Sequence, residues 1–271
     1  MESKHVHVRR RDEVFAQRSP TKIWEEVPSA ENPYLAESCR CHGYDLLELM
    51  AKRSFADVLY LLFQGELPTP EKSRLLESLM IALINPGPRH PATRAAMCAG
   101  VGKTETNQIL PVALTLLGGN HLGGAQVEEA MRFLRKACKS DPCRVAVESL
   151  AATSPAAEGD WHVAPGFGCR FGGIDPLPQN ALQSLLNLPG AGRCMDWARS
   201  FSEALHPHVL GILSTGLAAA VFADLGFHPR VGPGLFQLLN APGPLAHGTE
   251  MANKPLTAMP FIKDEDYVIE R

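Results

Sequence analysis

Runs of apolar residues at helical spacing, each closed by glycine or proline, constrain this chain more than any other feature. The clearest begins at Thr69-Pro70-Glu71, which places a cap, a first-turn proline and a dipole-favoured acid in the order a helix start needs. Leu75, Leu76, Leu79, Met80 and Leu83 then recur at three- and four-residue intervals until Asn85-Pro86-Gly87-Pro88 stops them. An earlier run over Val58, Leu59, Leu61, Leu62 and Phe63 opens at Ser54, has Asp57 three residues on as a capping-box partner, and closes at Gly65. Another helical pattern opens over residues 44–50, and more are expected at residues 91–100, 106–117, 125–138, 180–187, 194–205, 208–225 and 232–239. Strand-like alternation of β-branched residues is nearly absent. The expected fold class is therefore all-α, and 23 glycines and 22 prolines among 271 residues make the helices short and often interrupted. Residues 1–43 read as an extended arm, residues 139–192 as a loop-rich smaller lobe, and Met259 to Arg271 as an extended tail.

Charge excludes some partners. With 26 Lys and Arg against 29 Asp and Glu the net charge is −3, which argues against a general nucleic-acid binder. The first residues carry no apolar core of a secretory signal. The most apolar stretch, Val209 to Ala223, is shorter than the ~20 residues a bilayer needs, so it reads as a buried core helix and no membrane partner is expected. Seven cysteines at scattered spacing fit a reducing cytoplasm. Cys39, Cys41 and His42 have no second Cys/His pair to complete a zinc site, and no metal is expected.

Four segments could carry chemistry. Gly100-Val101-Gly102-Lys103-Thr104 hints at a phosphate loop, but the position needing the first glycine holds Met97, so it reads as a helix end with a solvated lysine. Gly118-Gly119-Asn120-His121-Leu122-Gly123-Gly124 surrounds one histidine with residues that let backbone approach a ligand. It reads equally as a catalytic turn and as a turn with a solvated histidine. Pro165-Gly166-Phe167-Gly168-Cys169-Arg170 is either an anion-holding turn or an irregular surface loop. His247 reads better as a core or helix-end histidine than as a ligand.

Taken together these blocks resemble the citrate synthase family, in particular its shorter citryl-CoA lyase-like members. The resemblance rests on His42-Gly43-Tyr44-Asp45-Leu46-Leu47-Glu48-Leu49 with Ser54 to Thr69, on His121 to Gln126, on Pro165 to Pro176 and on Gly243 to Met251, in family order. It implies a helical homodimer whose subunits close two lobes on a CoA thioester, with no permanently bound cofactor. The arm would be residues 1–41, the large lobe 42–124 with 222–271, and the small lobe 125–221. In the family an Asp takes the α-proton, one His stabilises the enolate, a second polarises a keto acid's carbonyl, and arginines pair its carboxylates.

Carried over residue by residue, His121 keeps the first histidine, while the second falls on Cys169. Asp175 and Pro176 match, but the arginine after them falls on Leu177. The catalytic Asp falls on Ile212 or Leu210, and another substrate arginine falls on Asn240. Arg170 and His247 match. The catalytic set implied is His121, Cys169 and Asp175, with Glu250 a second candidate base. Arg170, His247 and Asn240 would bind substrate, and Gly166, Phe167 and Gly168 would face CoA. An Ile or Leu takes no proton, so the expected activity is carbon–carbon bond formation or cleavage, or acyl transfer, on an acyl-CoA with a less acidic partner, not ordinary citrate synthesis. The alternative is a degenerate CoA-binding or regulatory homologue without chemistry. A bare helical scaffold is disfavoured by the retained Gly-rich turns.

Overall fold

Capping chemistry sets the helix starts in the computed structural model, which describes residues 17–155, 159–260 and 262–270. The chain divides into two compact units, Met1–Glu66 and Leu67–Arg271. In the first, strands β1 (Trp24–Pro28), β2 (Ala36–Cys41) and β3 (Tyr44–Asp45) form an antiparallel sheet in that order. This corrects the extended-arm expectation for residues 24–43; its first 16 residues lie outside the described residues. The sheet was missed because its strand residues are mostly exposed and polar and show no apolar alternation. Helices α1 (Leu46–Lys52) and α2 (Phe55–Gln64) follow. The Ser54/Asp57 capping box forms in both directions, and Gly65 ends α2 at φ 79°, a left-handed turn that suits glycine.

The second unit is helical. Helices α3 (Pro70–Leu83), α4 (Pro91–Val101), α5 (Thr106–Leu117) and α6 (Gly124–Ala137) lie close to the expected runs. Then come α7 (Pro142–Ala152), strands β4 (His162–Ala164) and β5 (Phe167–Gly168), α8 (Pro176–Leu186), α9 (Arg193–Leu205), β6 (Gly211–Ile212), α10 (Ser214–Asp224), α11 (Gly232–Asn240) and α12 (Pro242–Ala252). Helix α7 and the first turn of α8 correct the loop reading of residues 139–192. Each opens on an Asp-Pro pair, Asp141-Pro142 and Asp175-Pro176, and the aspartate accepts a backbone N–H of the first turn. The run expected at 208–225 is helical only from Ser214. Val209, at φ 60°, turns the chain into β6, which pairs with β5, and β5 pairs with β4. Lys103 stands exposed just past the end of α4, as expected, and its Nζ also donates to the carbonyls of Ala252 and Lys254 at 2.8 and 2.6 Å.

Helix α10 is the centre. Thr215 to Phe222 are all buried, so the helix is apolar on every side, as a core helix must be. Helices α6 and α9 pack on it. Gly166 sits at φ 81°, and a Cβ there would lie 2.5 Å from the Gly216 Cα, so strand and helix meet backbone to backbone. Beside them Phe133, Phe167, Trp197 and Phe201 stack and meet edge-on with centroids 4.8–6.3 Å apart. Helix α9 has no cap of its own. The Asp224 carboxylate, from the end of α10, accepts the Cys194 and Met195 N–H groups, both at 2.9 Å. Asp224→Ala removes both charge-assisted bonds at a helix N-terminus and should cost about 2 kcal/mol of unfolding free energy. Urea denaturation checks this, and a loss under about 0.5 kcal/mol would mean that water caps α9 equally well.

Candidate active site

The N-terminus of α4, the turn 118–123 and the segment after β5 face one another around a cleft. Arg170 lines each of three adjoining recesses, of about 390, 490 and 50 Å³. The largest is walled by Arg89, Arg94, His121, Leu122 and Phe171 as well. The smallest reaches Asn85, His90, Asp175, Ser214 and Asn240.

Arg170 is held from one side. Its Nη1 donates to Asp175 Oδ2 at 2.9 Å, while the other Asp175 oxygen accepts the Leu177 N–H at 3.2 Å. Arg170 Nε is buried and has no hydrogen-bond partner among the described residues. Reciprocal backbone bonds between Arg170 and Gly173 close a tight turn with Phe171 at φ 51° and Gly172 at φ 72°. Two left-handed residues in a row make a type I′ turn, which phenylalanine enters only at a cost. The Arg170 guanidinium lies 5.5 Å from the Phe171 ring centre. Leu122, at φ 52°, is a second strained residue on the cleft wall.

Of the sequence-derived residues, His121, Arg170, Asp175 and Asn240 meet at this cleft; the others do not. Cys169 is buried, accepts the Trp161 N–H at 3.1 Å, and lines none of the three recesses. Asn240 is buried and donates to the Phe236 carbonyl at 2.9 Å. His247 stands behind Asn85, 3.2 Å from its amide nitrogen. Glu250 is exposed and paired with Lys254, just past the end of α12. Gly166 and Gly168 are buried, and the Phe167 ring is fully enclosed in the aromatic cluster, so no side chain of theirs reaches the cleft. Among the described residues, no group of three or more His, Cys, Asp and Glu is placed to hold a metal.

Sequence reasoning missed Arg89, Arg94, His90 and His162. The His90-Pro91 pair could have signalled a histidine N-cap: His90 Nδ1 accepts the Ala92 N–H at 3.2 Å, and its Nε2 faces the Leu122 carbonyl at 3.5 Å. Burial holds His90 below the ordinary imidazole value of 6.5; the Leu122 carbonyl opposes this, and Arg170 and His121 add to it. His162 is lowered by burial first and by His121 next, with Asp160 opposing. Below pH 6.5 the unfolded chain therefore binds protons that the folded chain refuses. Stability is full above 6.5 and falls with acid, by up to about 1.4 kcal/mol per pH unit for each histidine. His90→Gln should flatten that slope between pH 6.5 and 5. An unchanged slope would place the lost stability elsewhere.

No family model matches the chain, and no curated protein sequence matches it. Solved structures do. A citryl-CoA lyase from Hydrogenobacter thermophilus superposes with a TM-score of 0.75 at 25% identity, over 93% of this chain and 94% of that one. The fold is citrate synthase-like. An ATP citrate lyase from Methanothrix soehngenii, solved with citrate and coenzyme A, matches 93% of this chain and 44% of its own at 18% identity and TM-score 0.68. Citrate synthase from Thermotoga maritima matches 80% of this chain and 60% of its own at 20% identity and TM-score 0.57. The all-α expectation and the resemblance to citryl-CoA lyase-like proteins hold. Among the described residues, no helix is long and apolar enough to cross a membrane.

Proposed function

We propose that this chain acts on a CoA thioester as a citryl-CoA lyase-type enzyme, making or breaking the carbon–carbon bond beside the thioester carbonyl. The observation that carries the reading is Arg170: a guanidinium bordering all three recesses, fixed by Asp175, with Nε buried and without a hydrogen-bond partner among the described residues. A guanidinium fork held in place and partly shielded in this way suits a carboxylate. The less acidic partner expected from Leu177 and Asn240 gives way here, because Arg89 and Arg94 bring two further cations to the same recess. The degenerate alternative is not favoured, since the neighbour matched over nearly the whole of both chains is a lyase.

In the cleavage direction the hydroxyl of citryl-CoA gives up its proton to a base. Its C–O becomes a carbonyl, the adjacent C–C bond breaks, and the electron pair passes to the thioester as an enolate that is then protonated on carbon. The products are acetyl-CoA and oxaloacetate. His121, in the turn before α6, would hold the enolate oxygen, as donors aimed at developing charge do. Asp175 has both oxygens engaged and serves to position Arg170. The thioester would be a substrate, with no cofactor held between turnovers. A homodimer, a cytoplasmic setting and closure of a small lobe over residues 125–221 belong to the same proposal. Exposed Leu47, Met50 and Phe55 supply apolar surface for a second copy.

The test is release of oxaloacetate from citryl-CoA, followed by reduction to malate with NADH, beside a thermal-shift titration with CoA, acetyl-CoA, propionyl-CoA and citryl-CoA. Turnover with a saturable shift supports the proposal. No turnover with any thioester, despite a shift, would return the chain to the binding alternative.

A further inference from the structure

His162 lies on β4 opposite Gly168 of β5, beside Cys169, where the resemblance places the second histidine; like Cys169 it lines none of the three recesses, but its ring neighbour His121 lines the largest. Its ring is parallel to that of His121, at 9° and 6.5 Å between centres. Behind it runs a polar chain. Thr215 Oγ1, fully buried at the start of α10, donates to Gln126 Oε1 at 3.3 Å, and Gln126 Nε2 lies 3.2 Å from His162 Nδ1. A carboxamide accepts only through oxygen and donates only through nitrogen. With the oxygen committed to Thr215, Gln126 donates to Nδ1, and the neutral imidazole carries its proton on Nε2. That Nε2–H is buried and has no partner among the described residues. A buried donor left without a protein acceptor calls for a partner, which a water or a bound ligand supplies. Burial and the neighbouring His121 both keep the ring neutral, with Asp160 the one opposing charge, so the donor persists at neutral pH.

We propose that His162 is a catalytic residue of this chain: its Nε2–H donates to the oxygen that becomes the keto-acid carbonyl, and Gln126 is the positioning residue that keeps the proton on Nε2. The proposal rests on the lyase reading above. It gives Cys169 no part in the chemistry and makes the Thr215–Gln126–His162 chain the support of the second donor.

The experiment uses the full chain labelled with ¹⁵N. Long-range imidazole spectra should show His162 protonated on Nε2 and unprotonated on Nδ1, and Gln126→Glu, whose carboxylate can only accept, should move the proton to Nδ1. With citryl-CoA, His162→Ala should lower kcat by about 10²-fold with KM within about threefold of wild type. His162→Asn, which keeps an N–H, should recover part of the loss, and Gln126→Glu should lower kcat along with the tautomer change. Wild-type kcat in His162→Ala, or an Nδ1-protonated ring in the wild type, overturns the proposal and leaves the lyase reading standing. If the wild type cleaves no citryl-CoA, the lyase reading fails, and the donor is judged by spectroscopy alone. A His162 Nε2 resonance that shifts with saturating acetyl-CoA and oxaloacetate supports it, and one that stays unmoved overturns it.

Discussion

Arg170→Ala is expected to reduce kcat/KM for citryl-CoA by about 10²- to 10³-fold. The side chain borders each of the three recesses, and among the described residues Asp175 is its ion-pair partner through Nη1, which leaves the rest of the fork for an anion. A charge-assisted, two-point pairing in a site shielded from water is worth roughly 3–4 kcal/mol when one partner is removed, and each 1.4 kcal/mol is tenfold. Arg170→Lys should fall between the two, because an ammonium keeps the charge but loses the planar fork. Asp175→Asn should free the guanidinium and raise KM more than it lowers kcat. The Asp175 carboxylate, only 14% exposed, is left uncompensated in Arg170→Ala, so that variant should also melt earlier. Steady-state kinetics on all three variants decide the matter, and an Arg170→Ala enzyme with wild-type kcat/KM would remove the carboxylate from the proposed substrate.

Ile212→Asp is expected to cost about 4 kcal/mol of stability, enough to leave much of the chain unfolded at 37 °C. The resemblance places the proton-abstracting Asp on Ile212 or Leu210, so the substitution looks like a restoration of the base. The structure says otherwise. Ile212 is fully buried and Leu210 is 1% exposed. The Ile212 backbone is tied to Phe167 across the sheet and to Ser202 Oγ at 2.9 Å. A carboxylate there would replace an aliphatic side chain packed near the α10 backbone at Gly216. Chemical denaturation measures the loss. A folded Ile212→Asp variant of near wild-type stability would show that this side chain reaches water after all, and would reopen the position as a base.

Local chemistry decided much of this molecule from the sequence. Ser54 with Asp57, Thr69-Pro70 and Gly65 mark helix ends because a cap is satisfied by neighbours three or four residues away, and the structure places those ends where the residues require them. The four blocks that carry the resemblance were legible for the same reason: they are contiguous. His121, Arg170 and Asp175 sit in two of them, and they do meet at the cleft. Short strands were not legible. β4, β5 and β6 have two or three residues each, too few to show a period; β4 and β5 pair across the short turn at Pro165-Gly166, and β6 exists only because the chain returns to β5 about 45 residues later. The polar network was beyond sequence reasoning altogether. Gln126 meets Thr215 across 89 positions and His162 across 36, and neither pairing has a local signature. Arg89 and Arg94 carry no motif in the sequence, and only the folded start of α4 sets them in one recess with Arg170. The sequence by itself determined where helices start and stop, since those energies are local. Which cations share a recess, which histidine keeps a free donor and which apolar residue is sealed in the core were decided by tertiary packing, because burial and long-range hydrogen bonds exist only once distant segments meet.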